Sequence, residues 1–146
     1  MTQHQEDRRM LGAMLRIPFQ AIVARMDEGL RMQGFSDLRP AHFAIFQQIR
    51  PEGSRITEMA EQAQISKQSM GALVDHLEAC GYVERVPDPD DGRAKIVRLT
   101  ALGWKVDDAA REILNQIERE WADQLGGGQL AQLKQILQDL IALIER

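Results

Sequence analysis

The sequence contains a single cysteine, few aromatic residues and no long hydrophobic run. Cys80 is the only thiol among 146 residues, so no disulfide can form within the chain, and a reducing, cytoplasmic location is expected. No apolar run approaches the roughly 20 residues needed to span a bilayer. Residues 1–9 are polar and charged, without the apolar centre of a signal peptide. We therefore expect neither a secreted nor a membrane-spanning protein.

The sequence also lacks the residue patterns of common catalytic and metal sites. His4, His42 and His76 do not have metal-ligand spacing, and no cysteine joins them. No glycine-rich phosphate loop, nucleophile motif or paired carboxylates are present. We therefore expect no metal, no cofactor and no enzymatic activity. Cys80 has no basic neighbour in sequence that would stabilise a thiolate, so we interpret it as structural rather than as a redox sensor.

The composition is typical of a soluble globular domain built from helices. Hydrophobic residues make up 44% and charged residues 27% of the chain, whereas aromatic residues make up only 5%. The formal net charge of -4 argues weakly against a DNA partner, because DNA binding requires phosphates to be neutralised. Whether the chain binds DNA therefore depends on where acidic residues are locally absent.

Hydrophobic periodicity predicts a mainly α-helical fold with one small β-hairpin. The predicted helices are Met10–Phe35, Pro40–Arg50, two short helices within Ser54–Gly81, Thr100–Leu125 and Gln129–Glu145. Pro18 lies inside the first of them, where we expect a kink or a broken first turn. The predicted strands, Tyr82–Arg85 and Ala94–Leu99, flank a segment of turn-forming residues.

The two short helices have the pattern of a helix-turn-helix. Its apolar or small positions are Met59, Ala60, Ala63, Ile65, Met70 and Leu73. Ile65 is expected to fill the turn, and Ser66 is expected to cap the second helix. Gln64 occupies a turn position where many such units have glycine, which is a departure from the common pattern.

The second short helix is predicted to present a DNA-reading face. The residues left exposed once the apolar positions are buried are Ser66, Lys67, Gln68, Ser69, Ala72 and His76. No acidic residue lies between Gln62 and Val74, although the chain is acidic overall. Lysine and glutamine can read base edges, and serine can hold phosphates. The alternative is an ordinary polar helix face.

The hairpin that follows is predicted to act as a wing. Arg85, Arg93 and Lys95 are expected to approach DNA, with Arg93 suited to the strongly negative minor groove. We expect Asp91 to pair with Arg93 and hold it extended. Asp88 and Asp90 we interpret as turn-forming residues.

The stretch from about Leu38 to Gly103 resembles the multiple-antibiotic-resistance regulator (MarR) family. The segments that carry the resemblance are Ile65–Ser69, Leu73–Glu78, Gly81–Arg85, Asp88–Arg93 and Leu99–Gly103. The resemblance implies an obligate dimer whose terminal helices intertwine, with recognition helices in successive major grooves and wing arginines in the minor groove. It assigns the recognition-helix roles to residues 66–69 and the wing roles to Asp91 and Arg93. Many members release DNA when a small phenolic or aromatic compound binds.

Two regions are therefore predicted. Residues 36–100 form the winged helix-turn-helix, and residues 1–35 and 101–146 form dimerisation helices. The apolar stripes of the terminal helices exceed what one small winged helix can cover, which favours a homodimer. The alternative is that these helices fold back on their own chain.

A ligand pocket between the helical arm and the reading head is a further hypothesis. Its candidate residues are Arg16, Phe19, His42 and Phe46. The plain alternative is that the aromatic residues are core and His42 is a surface or hydrogen-bonded histidine.

The sequence thus predicts a sequence-specific, double-stranded DNA-binding regulator. We expect a repressor that binds an inverted repeat and is released by a small aromatic ligand. The alternative function is a winged-helix protein-interaction module that does not read DNA, which the net negative charge slightly favours.

Overall fold

The computed structural model describes residues 9–146, and in that range it contains six helices and one antiparallel hairpin. The elements are α1 (Leu11–Met32), α2 (Pro40–Gln48), α3 (Ile56–Ala63), α4 (Lys67–Ala79), β1 (Val83–Pro87), β2 (Lys95–Leu99), α5 (Ala101–Leu125) and α6 (Gln129–Ile144). The predicted fold class, a mainly helical winged helix-turn-helix with a small β wing, is confirmed. No helix between residues 9 and 146 is long and apolar enough to cross a membrane.

Helix α1 continues through Pro18 without a break. Proline removes the hydrogen bond to the carbonyl four residues earlier, which is why we expected a broken turn. Pro18 and Met14 are both exposed, so solvent can satisfy the carbonyl that loses its partner. The helix ends earlier than predicted, at Met32, and Gly34 follows with a φ of 94°.

The described chain divides into two compact units. One ends at Ala110, and the other runs from Arg111 to Arg146. The first unit contains α1, the helix-turn-helix and the hairpin, and the second contains α6. The predicted grouping of residues 1–35 with 101–146 concerns a dimer and stays a prediction; residues 1–8 of it lie outside the described range.

The predicted helix-turn-helix is formed by α3 and α4. Met59 and Ala60 of α3 are buried, as are Met70, Val74 and Leu77 of α4. These positions place the apolar face of each helix against a shared core. Burial of this face leaves the opposite face of α4 in solvent.

The turn between α3 and α4 differs from the prediction at one side chain. Gln64 has φ 57° and ψ 40°, the left-handed conformation that favours glycine, so the position was identified correctly. Ile65, however, is 38% exposed and does not fill the turn. Its backbone N–H bonds to Ala60 O at 3.1 Å, so the turn is closed by the backbone.

Helix α4 begins and ends at the predicted residues. Ser66 Oγ accepts a hydrogen bond from the Ser69 N–H at 3.0 Å, which is the expected N-cap. Gly81, with a φ of 85°, follows its last turn. The Tyr82 N–H then bonds back to Leu77 O at 2.9 Å, satisfying a carbonyl of the last turn.

The hairpin is attached to the segment that precedes α3. Val83 pairs with Leu99 and Pro87 with Lys95, which sets the register of β1 and β2. Ser54 forms two further backbone hydrogen bonds with Val97, at 2.9 and 2.8 Å. Gly53 has a φ of 112°, and a Cβ there would lie 2.7 Å from the Ile96 side chain. The base of the wing is thus fixed to the helix-turn-helix.

Helix α5 starts directly against the hairpin. Thr100 Oγ1 accepts a hydrogen bond from the Gly103 N–H at 3.1 Å and donates one to Gly81 O at 2.6 Å. A Cβ on Gly103 would lie 2.1 Å from the carbonyl oxygen of Tyr82. Only glycine therefore permits this helix to approach the strand so closely.

Candidate DNA interface

The first turns of α4 form an exposed surface free of acidic residues. The predicted DNA-reading residues Ser66, Lys67, Gln68, Ser69 and Ala72 are all exposed. We call these five residues the α4 surface. Gln68 and Ala72 are four residues apart and lie opposite the buried Met70 and Val74. Ser66 and Ser69 also bond to each other through their hydroxyls at 2.9 Å, while both remain accessible.

His76 lies further along the same helix and also contacts residues of its own chain. Its Nε2 donates a hydrogen bond to the carbonyl oxygen of Asp37 at 2.7 Å. Its ring stacks on His42, with ring centroids 4.6 Å apart. The imidazole is thus held against the loop before α2. A DNA contact by His76 stays a prediction.

His42, at the start of α2, is buried beneath this stack. It is only 5% exposed, and its Nδ1 accepts the Arg39 N–H at 2.8 Å. Burial lowers the pKa of His42, and the neighbouring positive potential of His76 lowers it further. The predicted plain alternative for His42, a hydrogen-bonded histidine, is what the structure contains.

Asp37 joins the same cluster through its carboxylate. Tyr82 donates its hydroxyl hydrogen to Asp37 Oδ1 at 2.5 Å. Partial burial alone would raise the pKa of Asp37, but hydrogen bonds from Tyr82 and other donors lower it below its usual value. The pKa of the Tyr82 hydroxyl is raised, first by burial and then by Asp37. We call Asp37, His42, His76, Cys80 and Tyr82 the Asp37 cluster.

Cys80 is the remaining member of the Asp37 cluster, and it is a free thiol. Its Sγ lies 3.7 Å from His76 Nε2. Burial raises the pKa of Cys80, and the adjacent Asp37 carboxylate raises it further, so the thiolate is disfavoured. This agrees with the interpretation of Cys80 as structural. Within residues 9–146, no three histidine, cysteine or acidic side chains are placed to hold a metal ion.

Arg85 is committed to two carboxylates on α4. Its guanidinium donates to Glu78 Oε1 and Asp75 Oδ1, both at 2.7 Å, and its side chain is only 22% exposed. These two bonds use two of the five N–H donors of the guanidinium, so a DNA contact by Arg85 stays a prediction. In the structure, Arg85 offsets two negative charges that follow the α4 surface.

The wing exposes two of the predicted cations. Arg93 lies in the turn between the strands, and Lys95 is the first residue of β2; both are exposed. Asp91 does not pair with the Arg93 guanidinium as predicted. Its Oδ1 accepts the backbone N–H of Arg93 at 3.1 Å, so it orients the backbone of Arg93.

Asp88 does more than form a turn, contrary to our interpretation. Its Oδ1 accepts the Asp90 N–H at 2.9 Å, which is the expected turn contact. Its Oδ2 lies 2.8 Å from Arg55 Nε and 2.7 Å from Arg55 Nη2. The backbone N–H of Asp90 and the Arg55 guanidinium lower the pKa of Asp88. The turn is therefore tied to the residue that precedes α3.

The four candidate pocket residues fall into two groups. Arg16 and Phe19 are exposed on α1. His42 and Phe46 are buried, and Phe46 packs edge-to-face on Tyr82 with ring centroids 6.5 Å apart. The last two are core residues of the winged helix in this structure. A pocket that contains all four stays a hypothesis.

Sequence reasoning missed three residues that shape this surface. Asp37, Tyr82 and Arg55 each contact a partner far away in sequence: Asp37 and Tyr82 are 45 positions apart, and Arg55 and Asp88 are 33 apart. Periodicity within one helix or strand carries no signal for such pairs. The turn-forming residues around Asp88 did predict that it lies in a turn, but they did not predict its pairing with Arg55.

Helices α3 and α4 and the hairpin define a winged helix-turn-helix, a fold used for DNA binding, and here it presents an acid-free helix face and an exposed arginine and lysine. Residues 36–94, which cover α2 to the wing turn, match the sequence model of the MarR family. The chain is therefore similar to the MarR family of transcriptional regulators over this segment, and its fold is that of solved MarR structures.

Similarity to two other proteins extends over most of the chain. The transcriptional regulator HosA of Escherichia coli O111:H- is 28% identical over 128 residues, which are 87% of this chain and 91% of HosA. The crystal structure of transcriptional regulator Tm0710 from Thermotoga maritima is also 28% identical, with a TM-score of 0.62, and the match covers 91% of this chain and 92% of Tm0710.

A third protein of the same fold was crystallised with a ligand. CouR from Rhodococcus jostii RHA1, crystallised with p-coumaroyl-CoA, is 22% identical with a TM-score of 0.73. The match covers 95% of each chain.

Proposed function

We propose that this protein represses transcription as a homodimer that binds an inverted repeat in double-stranded DNA and is released by a small aromatic ligand. The observation that carries the proposal is the combination of the α4 surface with the wing residues Arg93 and Lys95. All seven side chains are exposed, and no acid interrupts the α4 surface.

The α4 surface has the chemistry needed to read a major groove. Lys67 and Gln68 can bond to base edges, whereas Ser66 and Ser69 can bond to phosphate oxygens. Ala72 is small, so the helix can approach the groove closely. Arg85 supports this role indirectly, because it neutralises Asp75 and Glu78 just beyond the surface.

The wing has the chemistry needed to enter a minor groove. Arg93 is exposed in a turn whose backbone is ordered by Asp91. A guanidinium on a narrow, ordered projection loses less freedom on binding than one on a mobile loop. Lys95 lies at the base of the same turn and can reach a flanking phosphate.

Exposed apolar side chains on the terminal helices support the dimer. On α1 these include Met14, Ile17 and Phe19, which are 58%, 43% and 63% exposed. On α6, Ile136 and Ile144 are 63% and 72% exposed. Soluble monomers rarely expose a large apolar helix face, and a second copy of the chain would cover the face of each of these helices. A two-fold dimer would then read half-sites about 10 base pairs apart, or a multiple of that spacing.

An aromatic effector is supported by the p-coumaroyl-CoA bound to CouR, a protein of the same fold. Phe19 is an exposed aromatic side chain, and Arg16 on the same helix could pair with a carboxylate. His42 and Phe46 are buried, so the residues that cover them would have to move before either could contact a ligand. Arg16 and Phe19 are therefore the first positions to substitute when ligands are tested.

The experiment is a binding selection from random duplex DNA with the full-length protein, followed by sedimentation of the selected complex. The proposal expects an enriched inverted repeat bound by two chains, and release of DNA by at least one compound from a panel of aromatic acids and thioesters. Ile136→Glu should weaken both dimer formation and DNA binding, whereas Gln138→Glu, on an exposed polar position of the same helix, should change neither. Failure to enrich any sequence would support the protein-interaction module instead.

A further inference from the structure

We propose that Arg55 is a positioning residue that fixes the wing, and that it thereby sets where Arg93 meets DNA. This inference rests on the proposed minor-groove role of Arg93. Arg55 is the N-cap residue of α3. In sequence, the whole helix-turn-helix separates it from the wing.

The contact between Arg55 and the wing has the geometry of a two-point clamp. Arg55 Nε and Nη2 lie 2.8 and 2.7 Å from the same carboxylate oxygen of Asp88. Only 10% of the Asp88 side chain is exposed, so the carboxylate is largely shielded from water. A charge-assisted pair with two converging donors fixes orientation better than a single surface contact.

Arg55 also reaches Arg93 through a second carboxylate. Its Nη2 lies 4.0 Å from Asp91 Oδ2, and the other oxygen of Asp91 accepts the Arg93 N–H. A continuous path of contacts therefore runs from the start of α3 to the backbone of Arg93. Because α3 packs on α4, the path also links the wing to the α4 surface.

The base of the wing is held separately, so the clamp acts on its tip. Ser54 pairs with Val97 near the middle of β2, and that contact does not involve the turn. Without Arg55, the strands would remain paired while the turn between Asp88 and Arg93 gained freedom. The effect of losing the clamp should therefore appear in DNA binding and in the mobility of the turn, with little effect on the fold.

The test is a double-mutant cycle on the selected operator, combined with a spin label on the turn. Arg55→Ala should weaken binding by about tenfold, the cost of ordering a side chain and its turn at the moment of binding. Arg93→Ala should also weaken binding, and adding Arg55→Ala to it should cause little further loss, because Arg55 acts through Arg93. Arg55→Lys, which retains one ion pair, should lose less than Arg55→Ala.

Asp88 provides the matched pair of variants. Asp88→Asn removes the charge that Arg55 holds and should reproduce the loss caused by Arg55→Ala. Asp90→Asn, at an exposed carboxylate on the same turn, should bind DNA like the parent protein. A loss with Asp90→Asn as large as that with Asp88→Asn would mean that binding responds to any change in this turn rather than to the clamp, and would overturn the inference.

The spin label reports the clamp without DNA. Gly92 is suitable for a Gly92→Cys substitution in a Cys80→Ser background, because a Cβ at Gly92 meets no atom within 4 Å. Arg55→Ala should increase the mobility of a nitroxide attached there, and the thermal unfolding midpoint should change little. An unchanged nitroxide spectrum, or losses from Arg55→Ala and Arg93→Ala that add in full, would overturn the inference. Normal binding by Arg93→Ala alone would instead refute the proposed function.

Discussion

His42 and His76 stack with ring centroids 4.6 Å apart and planes 14° apart, which joins the start of α2 to the end of α4. The stack holds the end of the recognition helix against the Asp37 loop. His42 lies on its buried side and uses Nδ1 as an acceptor. Protonation of Nδ1 would replace that acceptor with a second N–H facing the Arg39 N–H. The neutral form is therefore built into the fold.

The protein should lose stability as the pH falls below about 6.5, the usual pKa of histidine. The pKa of His42 is lowered in the folded state, mainly by burial, so the unfolded chain binds the proton more tightly. The stabilisation is present above 6.5 and is lost as the pH falls toward the lowered folded value. Denaturant unfolding at pH 7.5 and 5.5 measures this.

The control for this prediction is His42→Gln, which retains an acceptor but does not titrate. It should lose less stability than the parent protein over the same pH interval. An identical loss in both proteins would mean that His42 is not the titrating group.

Gln64→Gly should stabilise the protein. Gln64 adopts the left-handed conformation, which costs a residue with a Cβ roughly 1–2 kcal/mol. Glycine avoids this cost, but its greater conformational freedom in the unfolded state offsets part of the gain in stability. A net gain of about 0.5–1 kcal/mol in the free energy of unfolding is expected. Gln64→Ala keeps the Cβ and should give no such gain. If both variants were equally stable, strain at this turn would not be the cause.

Gly103→Ala should destabilise the protein strongly. The added Cβ would lie 2.1 Å from a backbone oxygen, which cannot move aside without shifting β1 or α5. We expect a loss of about 3 kcal/mol, equivalent to roughly 10 °C in Tm, at fixed protein concentration. Gly71→Ala is the control, because a Cβ there meets nothing within 4 Å and alanine favours helix. A Gly103→Ala variant as stable as the parent would contradict the close approach of α5 to Tyr82.

Cys80 should react slowly with thiol reagents at neutral pH. Its pKa is raised by burial and by Asp37, so little thiolate is present to attack. Alkylation by iodoacetamide at pH 7 should be slower than that of a cysteine in an unfolded peptide, and Asp37→Asn should accelerate it. Faster reaction in the folded parent than in the peptide would reopen a redox role.

The sequence predicts most of the fold because its helices are strongly periodic and its breaks are marked. Ser66, Gly81 and the glycine run at 126–128 lie where helices begin or end. The prediction at Ile65 was wrong because a backbone bond can close a turn that an apolar side chain does not fill. The expected break at Pro18 did not occur, because on an exposed helix face solvent can bond to the carbonyl that lacks an N–H partner.

The site was predictable where it depends on one element and not where it depends on two. The exposed residues at the start of α4 follow from the buried positions of that helix alone. The contacts of His76 and Arg85 with Asp37, Asp75 and Glu78 were not predicted, because tertiary packing brings these residues together. A polar side chain that a helical pattern places in solvent can still form hydrogen bonds to another part of the same chain.

The central claim is that the α4 surface reads bases while Arg93 contacts the phosphate-lined minor groove, and salt-dependent binding of three proteins tests it most directly. Affinities of the parent, Gln68→Ala and Arg93→Ala for the selected operator and for a scrambled duplex should be measured from low to high salt. Arg93→Ala should weaken binding to both duplexes and reduce the salt slope by about one unit. Gln68→Ala should keep the parent's slope but lose discrimination by roughly 1–3 kcal/mol. Parent-like affinity, slope and discrimination in both variants would contradict the account.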